Sequence, residues 1–179
     1  EWFRYHHLFA EYLREALHRH HPGEVEELHR RAAGWYYAQD RPDQAFRHAL
    51  EGRDPALATQ VLERFFAAKL LGGEIQVVQH WLAAIPAAWQ ARYPMFGLVQ
   101  AGVLITTGQF DAAHNQLEAV ERLLEDAGRP DARLEEARVT ALRCFIACFR
   151  DDLPLAEALT DRALRDLPAD DVSFRPGVY

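Results

Sequence analysis

Nine histidines are the first residues to weigh for chemistry, and seven of them precede Arg53. His18, His20 and His21 surround one helix end, and His29 follows on the next helix. A metal centre needs neutral imidazoles converging on one point, with outer partners to orient them. A His-Arg-His-His run at a helix terminus has a simpler role, placing partial positive charge beside exposed carbonyls. No metal site is expected, and a metal-dependent enzyme built on this cluster is the remotest reading of the chain. Cys144 and Cys148 stand four apart in an apolar helical pattern. They read as two small buried hydrophobes, because no second pair completes a zinc set. A dyad of Cys144 with His80 or His114 is disfavoured, since a thiolate needs a polar, partly open setting.

Other chemistries fare no better. The only lysine, Lys69, follows no phosphate-loop glycines, and the only serine, Ser173, falls in a stretch that reads as a loose tail. Carboxylates lie on polar helix faces such as "EAVERLLED", where solvation is explanation enough. No catalytic residue is assigned. The aromatics are the better candidates for binding. Trp81, Trp89, Tyr93 and Phe96 cluster around the breaks at Pro86 and Pro94. Aromatic walls with a few polar groups suit a sugar, a flat metabolite or a peptide side chain. The competing reading makes them wedges between irregular helices, and Trp35 and Tyr36 read as core at a hairpin contact.

The elements that must position these residues are helical. Apolar residues recur every three or four positions almost throughout, and no strand pattern competes. Ten segments follow, the first over about Tyr5 to His20. In Gly52-Arg53-Asp54-Pro55, glycine is expected to take the left-handed helix-ending conformation, Asp54 to cap the next helix, and Pro55 to open it. Three turns align: "QDRPDQAFRHAL", "TGQFDAAHNQL" and "RDDLPLAEAL". Each sets an alanine early in the following helix, at Ala45, Ala113 and Ala156. The first interval is 68 residues and the second 43, so the array is irregular against a 34-residue tetratricopeptide period. The expected fold is all-α, an irregular tetratricopeptide-like α-solenoid of stacked helical hairpins sharing one core. A compact helical bundle is the alternative.

Bulk properties agree. At 179 residues the chain holds one domain, or one and a piece of another, with 49% apolar and 26% charged residues. The formal charge of −7 and the absence of a basic cluster argue against direct nucleic-acid binding. No apolar run reaches the ~20 residues of a membrane span and no signal peptide is visible, so a reducing cytoplasmic setting is expected.

"WFRYHHLFAEYLRE" with "VEELHRRAAGWYYAQDRPDQAFRHALEGRDPALATQVLE" resembles the middle of the MalT-like, LuxR-type signal-transducing ATPases. In that family a P-loop ATPase core precedes a winged-helix module, a helical-repeat sensor arm and a DNA-binding helix-turn-helix. "YHHLFAEYLR" resembles the close of the winged-helix module. "WLAAIPAAWQARYPMFGLVQAGVLITTGQFDAAHNQLEAVERLL" resembles the start of the sensor arm. The resemblance implies that residues 1–21 end the winged-helix module, 22–72 form connecting hairpins, and 73–179 form sensor repeats cut off at the C-terminus. It aligns Tyr5-His6-His7-Leu8 with the Met-His-Asp motif of related ATPases. His6 takes the position that approaches ADP in the whole protein, while His7 stands where that motif has aspartate. The implied function is effector sensing and oligomerisation. A small inducer or a regulatory protein would bind, with ATP or ADP bound only by the ATPase core and no cofactor in this region. A stand-alone tetratricopeptide-like interaction scaffold is the alternative.

Overall fold

A computed structural model describes residues 7–127, 132–171 and 173–175. These form ten helices and, among the described residues, no strand: α1 (His7–His20), α2 (Pro22–Ala38), α3 (Pro42–Glu51), α4 (Pro55–Leu71), α5 (Ile75–Ala84), α6 (Ala87–Gln90), α7 (Pro94–Thr106), α8 (Phe110–Ala127), α9 (Ala132–Phe149) and α10 (Leu153–Asp166). The all-α class with helical-hairpin packing is as expected. The chain divides into two compact units, Glu1–Ala58 and Thr59–Tyr179. That division falls inside α4.

One turn design recurs five times. Three residues separate α2 from α3, α3 from α4, α4 from α5, α7 from α8 and α9 from α10. The middle residue is left-handed each time: Asp40 (φ 53°), Arg53 (φ 49°), Gly73 (φ 77°), Gly108 (φ 75°) and Asp151 (φ 55°). The third residue then donates its N–H to the carbonyl five back, as Arg41 does to Tyr36 and Gln109 to Leu104. These bonds satisfy carbonyls that a helix end would otherwise leave unpaired. The same third residue opens the next helix, and its carbonyl accepts from Ala45, Ala58, Ala113 or Ala156 in four of the five turns. Those alanines are buried, three of them completely. Ala58 belongs to the same series, although its turn was read separately. The left-handed conformation expected of Gly52 falls instead on Arg53 (φ 49°), and Gly52 is right-handed (φ −79°). Gly52 is needed for a different reason: a Cβ there would lie 2.9 Å from the Arg30 backbone nitrogen.

In the first unit, α2 and α3 form a hairpin closed by Ala33, Ala45, Phe46 and Ala49. Asp54 caps α4 by accepting from the Leu57 N–H at 2.9 Å, as expected. Trp35 is 46% exposed, so it is not core; it packs edge-on against its neighbour Tyr36 instead. The apolar face of α1 is also exposed at Leu8, Tyr12 and Leu13.

In the second unit, α7 pairs with α8 and α9 with α10, and α9 also packs on both α7 and α8. Phe96, Leu98, Val99, Leu117 and Cys144 are among its fully enclosed side chains. Each such apolar group contributes roughly 1.5–3 kcal/mol on burial. Gly97 lets α7 and α8 approach closely, since a Cβ there would meet Val120 Cγ2 at 2.5 Å. Cys148 is exposed, contrary to the paired-core reading, because it lies at the rim of the face that buries Cys144. The stretch after α10 is no loose tail where it is described. Ser173 donates its hydroxyl to the Glu63 carbonyl, and Phe174 is 2% exposed with its ring 5.2 Å from that of Phe66.

That closure centres on an ion triad in which Arg138 and Asp171 are buried and Glu63 is partly exposed. Arg138 Nε donates to Asp171 Oδ2 at 2.8 Å, and its Nη2 donates to Glu63. The Arg138 and Asp171 side chains are 8% and 3% exposed. Burial works to lower the Arg138 pKa, but its bonds and charge pairing with Asp171 and Glu63 outweigh that and hold it above its ordinary value. Asp171 also accepts from the Phe174 N–H at 3.1 Å, which turns the chain back onto α4 and α9.

Candidate functional site

The helix α7, with its partner α8, the short α6 and Leu82 of α5, shapes a cavity in the second unit. It measures about 510 Å³ and is lined by Leu82, Phe96, Gly97, Leu104 and Ala112 with the carboxamides of Gln90, Gln100, Asn115 and Gln116. A second hollow of about 370 Å³ shares Gln90, Gly97 and Gln116 and runs on to Pro94, Val120 and Arg122. The sequence produces this lining by helical spacing. Phe96, Gln100 and Leu104 stand four apart on α7, and Ala112, Asn115 and Gln116 share one face of α8. Gln90 is held in place because its Nε2 donates to the Ile85 carbonyl at 3.0 Å. No ionised side chain lines the larger hollow. Its chemistry is therefore that of an uncharged site, with amide donors and acceptors around an apolar floor.

The four aromatics named from sequence have different fates. Phe96 lines the larger hollow though it is only 2% exposed. Tyr93 meets Phe96 edge-on at 6.0 Å, and the Arg92 guanidinium carbon lies over the Tyr93 ring, 6.0 Å from its centroid. Trp89 is half-buried on α6, and Trp81 is 3% exposed in the core. Neither tryptophan lines the hollow. The amides were missed because each alone reads as a polar surface residue; the available signal was that Gln100 falls four after Phe96 on α7 and that Asn115 and Gln116 share the face of Ala112 on α8. His6 lies outside the described residues.

A second constellation occupies the α2–α3 hairpin. His29 Nδ1 lies 2.8 Å from His48 Nδ1 and 2.9 Å from Glu51 Oε2, and His48 Nδ1 lies 3.6 Å from the same oxygen. The His48 ring stacks on Tyr36, with centroids 5.4 Å apart and planes 7° apart. Burial, with Arg47 and His29, holds the His48 pKa below its ordinary value against the opposing pull of Glu51. His29 thus meets His48, 19 residues on, rather than joining the exposed His20 and His21.

No family model matches the chain, and no solved structure matches it. Its sequence is similar to that of curated transcription factors. It is 29% identical over 168 residues to the HTH-type transcriptional regulator MalT of Serratia proteamaculans, covering 94% of this chain. It is 28% identical over the same length to the proteins of that name from Yersinia enterocolitica and Yersinia pestis. The chain spans about a fifth of the length of these relatives (19%). Among the described residues, no helix is long and apolar enough to cross a membrane.

Proposed function

We propose that this chain is the effector-sensing and oligomerisation region of a MalT-type transcriptional regulator, and that it acts by binding rather than by catalysis. The observation that carries the reading is the similarity to MalT regulators along 94% of the chain, joined to a fold of helical hairpins with an uncharged hollow on α7–α8. In this reading the α7–α8 hollow takes a small uncharged inducer, with Gln100, Asn115 and Gln116 hydrogen-bonding it and Phe96 beneath it. A regulatory protein is the other class of effector. The signal passes to a nucleotide-binding ATPase core elsewhere in the protein, where His6 contacts ADP. The exposed apolar face of α1 suits a covered contact with a neighbouring module.

Mechanistically, the effector favours one arrangement of the helical region because it binds that arrangement more tightly. Inducer binding and nucleotide state are then coupled in both directions. The protein works in the cytoplasm and self-associates when switched on. The stacked hairpins are read as tetratricopeptide-like.

A thermal-shift screen of uncharged metabolites tests the reading. A specific ligand at 100 times its dissociation constant adds about 2.7 kcal/mol of stability. Gln116→Leu abolishes the shift if the hollow is the site. Absence of any stabilising metabolite or protein effector, or a shift untouched by Gln116→Leu, overturns it.

A further inference from the structure

We propose that His29, His48 and Glu51 form a divalent-metal site of the zinc type, clamping α2 to α3. Three ligand atoms of suitable chemistry converge there: two imidazole nitrogens and one carboxylate oxygen, all within 4.8 Å of one another. Their separations are 2.8, 2.9 and 3.6 Å. Ligands held about 2.0–2.1 Å from a tetrahedral zinc ion stand roughly 3.3 Å apart. The three atoms therefore lie within about half an ångström of a zinc triangle, a distance that small side-chain rotations supply.

The arrangement is costly without a cation or shared proton. Each neutral imidazole carries one N–H, on one nitrogen or the other. If both rings keep their proton on the far nitrogen, two lone pairs and a carboxylate oxygen face one another at 2.8–3.6 Å. A divalent cation at the centre turns that repulsion into three bonds. The frame is also set in advance. His48 and Glu51 are three apart on α3, so both project from one helical face. Stacking on Tyr36 fixes the His48 ring plane, and the His29 and His48 side chains are 27% and 17% exposed, shielded yet reachable. Glu51, at 46%, leaves one side open to solvent, where a fourth ligand would sit. Two His and one Glu with an open position is a donor set that zinc accepts.

The test uses the 179-residue chain stripped of metal with a chelator. Zn²⁺ alone is titrated by calorimetry, and Co²⁺ alone is followed by its visible d–d absorption, which is intense only in four-coordinate geometry. One equivalent of Zn²⁺ is expected to bind. His29→Gln and Glu51→Gln should each weaken it by more than about tenfold, the loss seen when even an outer partner of a ligand is removed. The double variant His20→Gln/His21→Gln should bind as the parent does. Glu51 is exposed enough for its substitution to leave the fold intact, as circular dichroism verifies, so Glu51→Gln decides the matter even if a histidine variant unfolds. No stoichiometric binding by the parent, binding that survives Glu51→Gln, or binding lost instead in the His20/His21 variant would each overturn the site.

Discussion

Replacing Arg138 by methionine isolates the ion triad of the second unit. The substitution keeps much of the side-chain volume and removes the guanidinium. Asp171, only 3% exposed, then keeps a buried negative charge with backbone N–H groups of Ser173 and Phe174 as its remaining partners. Breaking a buried pair by deleting one partner costs about 3–5 kcal/mol, because the other charge is left uncompensated. Asp171→Asn is milder. It removes the charge but leaves an oxygen for the two backbone donors, and Arg138 retains Glu63. The loss of one charged hydrogen bond is about 1.5–3 kcal/mol. The double variant Arg138→Met/Asp171→Asn leaves no deeply buried charge unpaired, since Glu63, the remaining carboxylate, is 38% exposed and solvated, so it should cost less than the two single losses together by at least about 1 kcal/mol. Urea unfolding followed by circular dichroism measures the three free energies, and hydrogen exchange of α9 amides ties them to the second unit. Arg138→Met within about 0.5 kcal/mol of the parent, or strict additivity in the double variant, would refute the account of this closure.

Three further outcomes follow from the packing. Gly97→Ala sets a Cβ against Val120 Cγ2 and should destabilise by about 1–3 kcal/mol in thermal or urea unfolding. Asp54→Ala removes the cap on Leu57 and should cost about 0.5–2 kcal/mol, while Gln60→Ala, exposed on the same helix, should cost far less. Cys148 should alkylate in the native protein and Cys144 only on unfolding, since Cys144 is buried with its sulfur 3.1 Å from Thr160 Oγ1. Partial desolvation of its sulfur, although the residue is exposed, and the neighbouring Cys144 raise the Cys148 pKa. Its thiolate fraction therefore lags that of a free thiol, and its iodoacetamide rate should keep climbing at alkaline pH where a simple thiol has levelled off.

Much of the architecture is legible in the residues, for physical reasons. Helical period, the alanines at Ala45, Ala113 and Ala156, and the cap at Asp54 are local signals, and local hydrogen bonding enforces them. The turn at Gly52 was misread because the left-handed position is counted from the helix end, and that count falls on Arg53. Trp35 and Cys148 went astray because periodicity marks a face but not its rim. The α7–α8 hollow was legible only through Phe96; Gln100 and Gln116 gain meaning when α7 and α8 meet at Gly97. The pairing of His29 with His48, and of Arg138 with Asp171, depends on register between elements 19 and 33 residues apart. No local pattern encodes such a register.

Under the proposed function the α7–α8 face receives the effector. Hydrogen exchange measured by mass spectrometry, with and without a stabilising uncharged metabolite, addresses it most directly. If that face is the site, exchange slows in residues 94–127, and the slowing disappears in Gln116→Leu. Slowed exchange confined to the α2–α3 hairpin, or none in α7 and α8 despite a thermal shift, would contradict it.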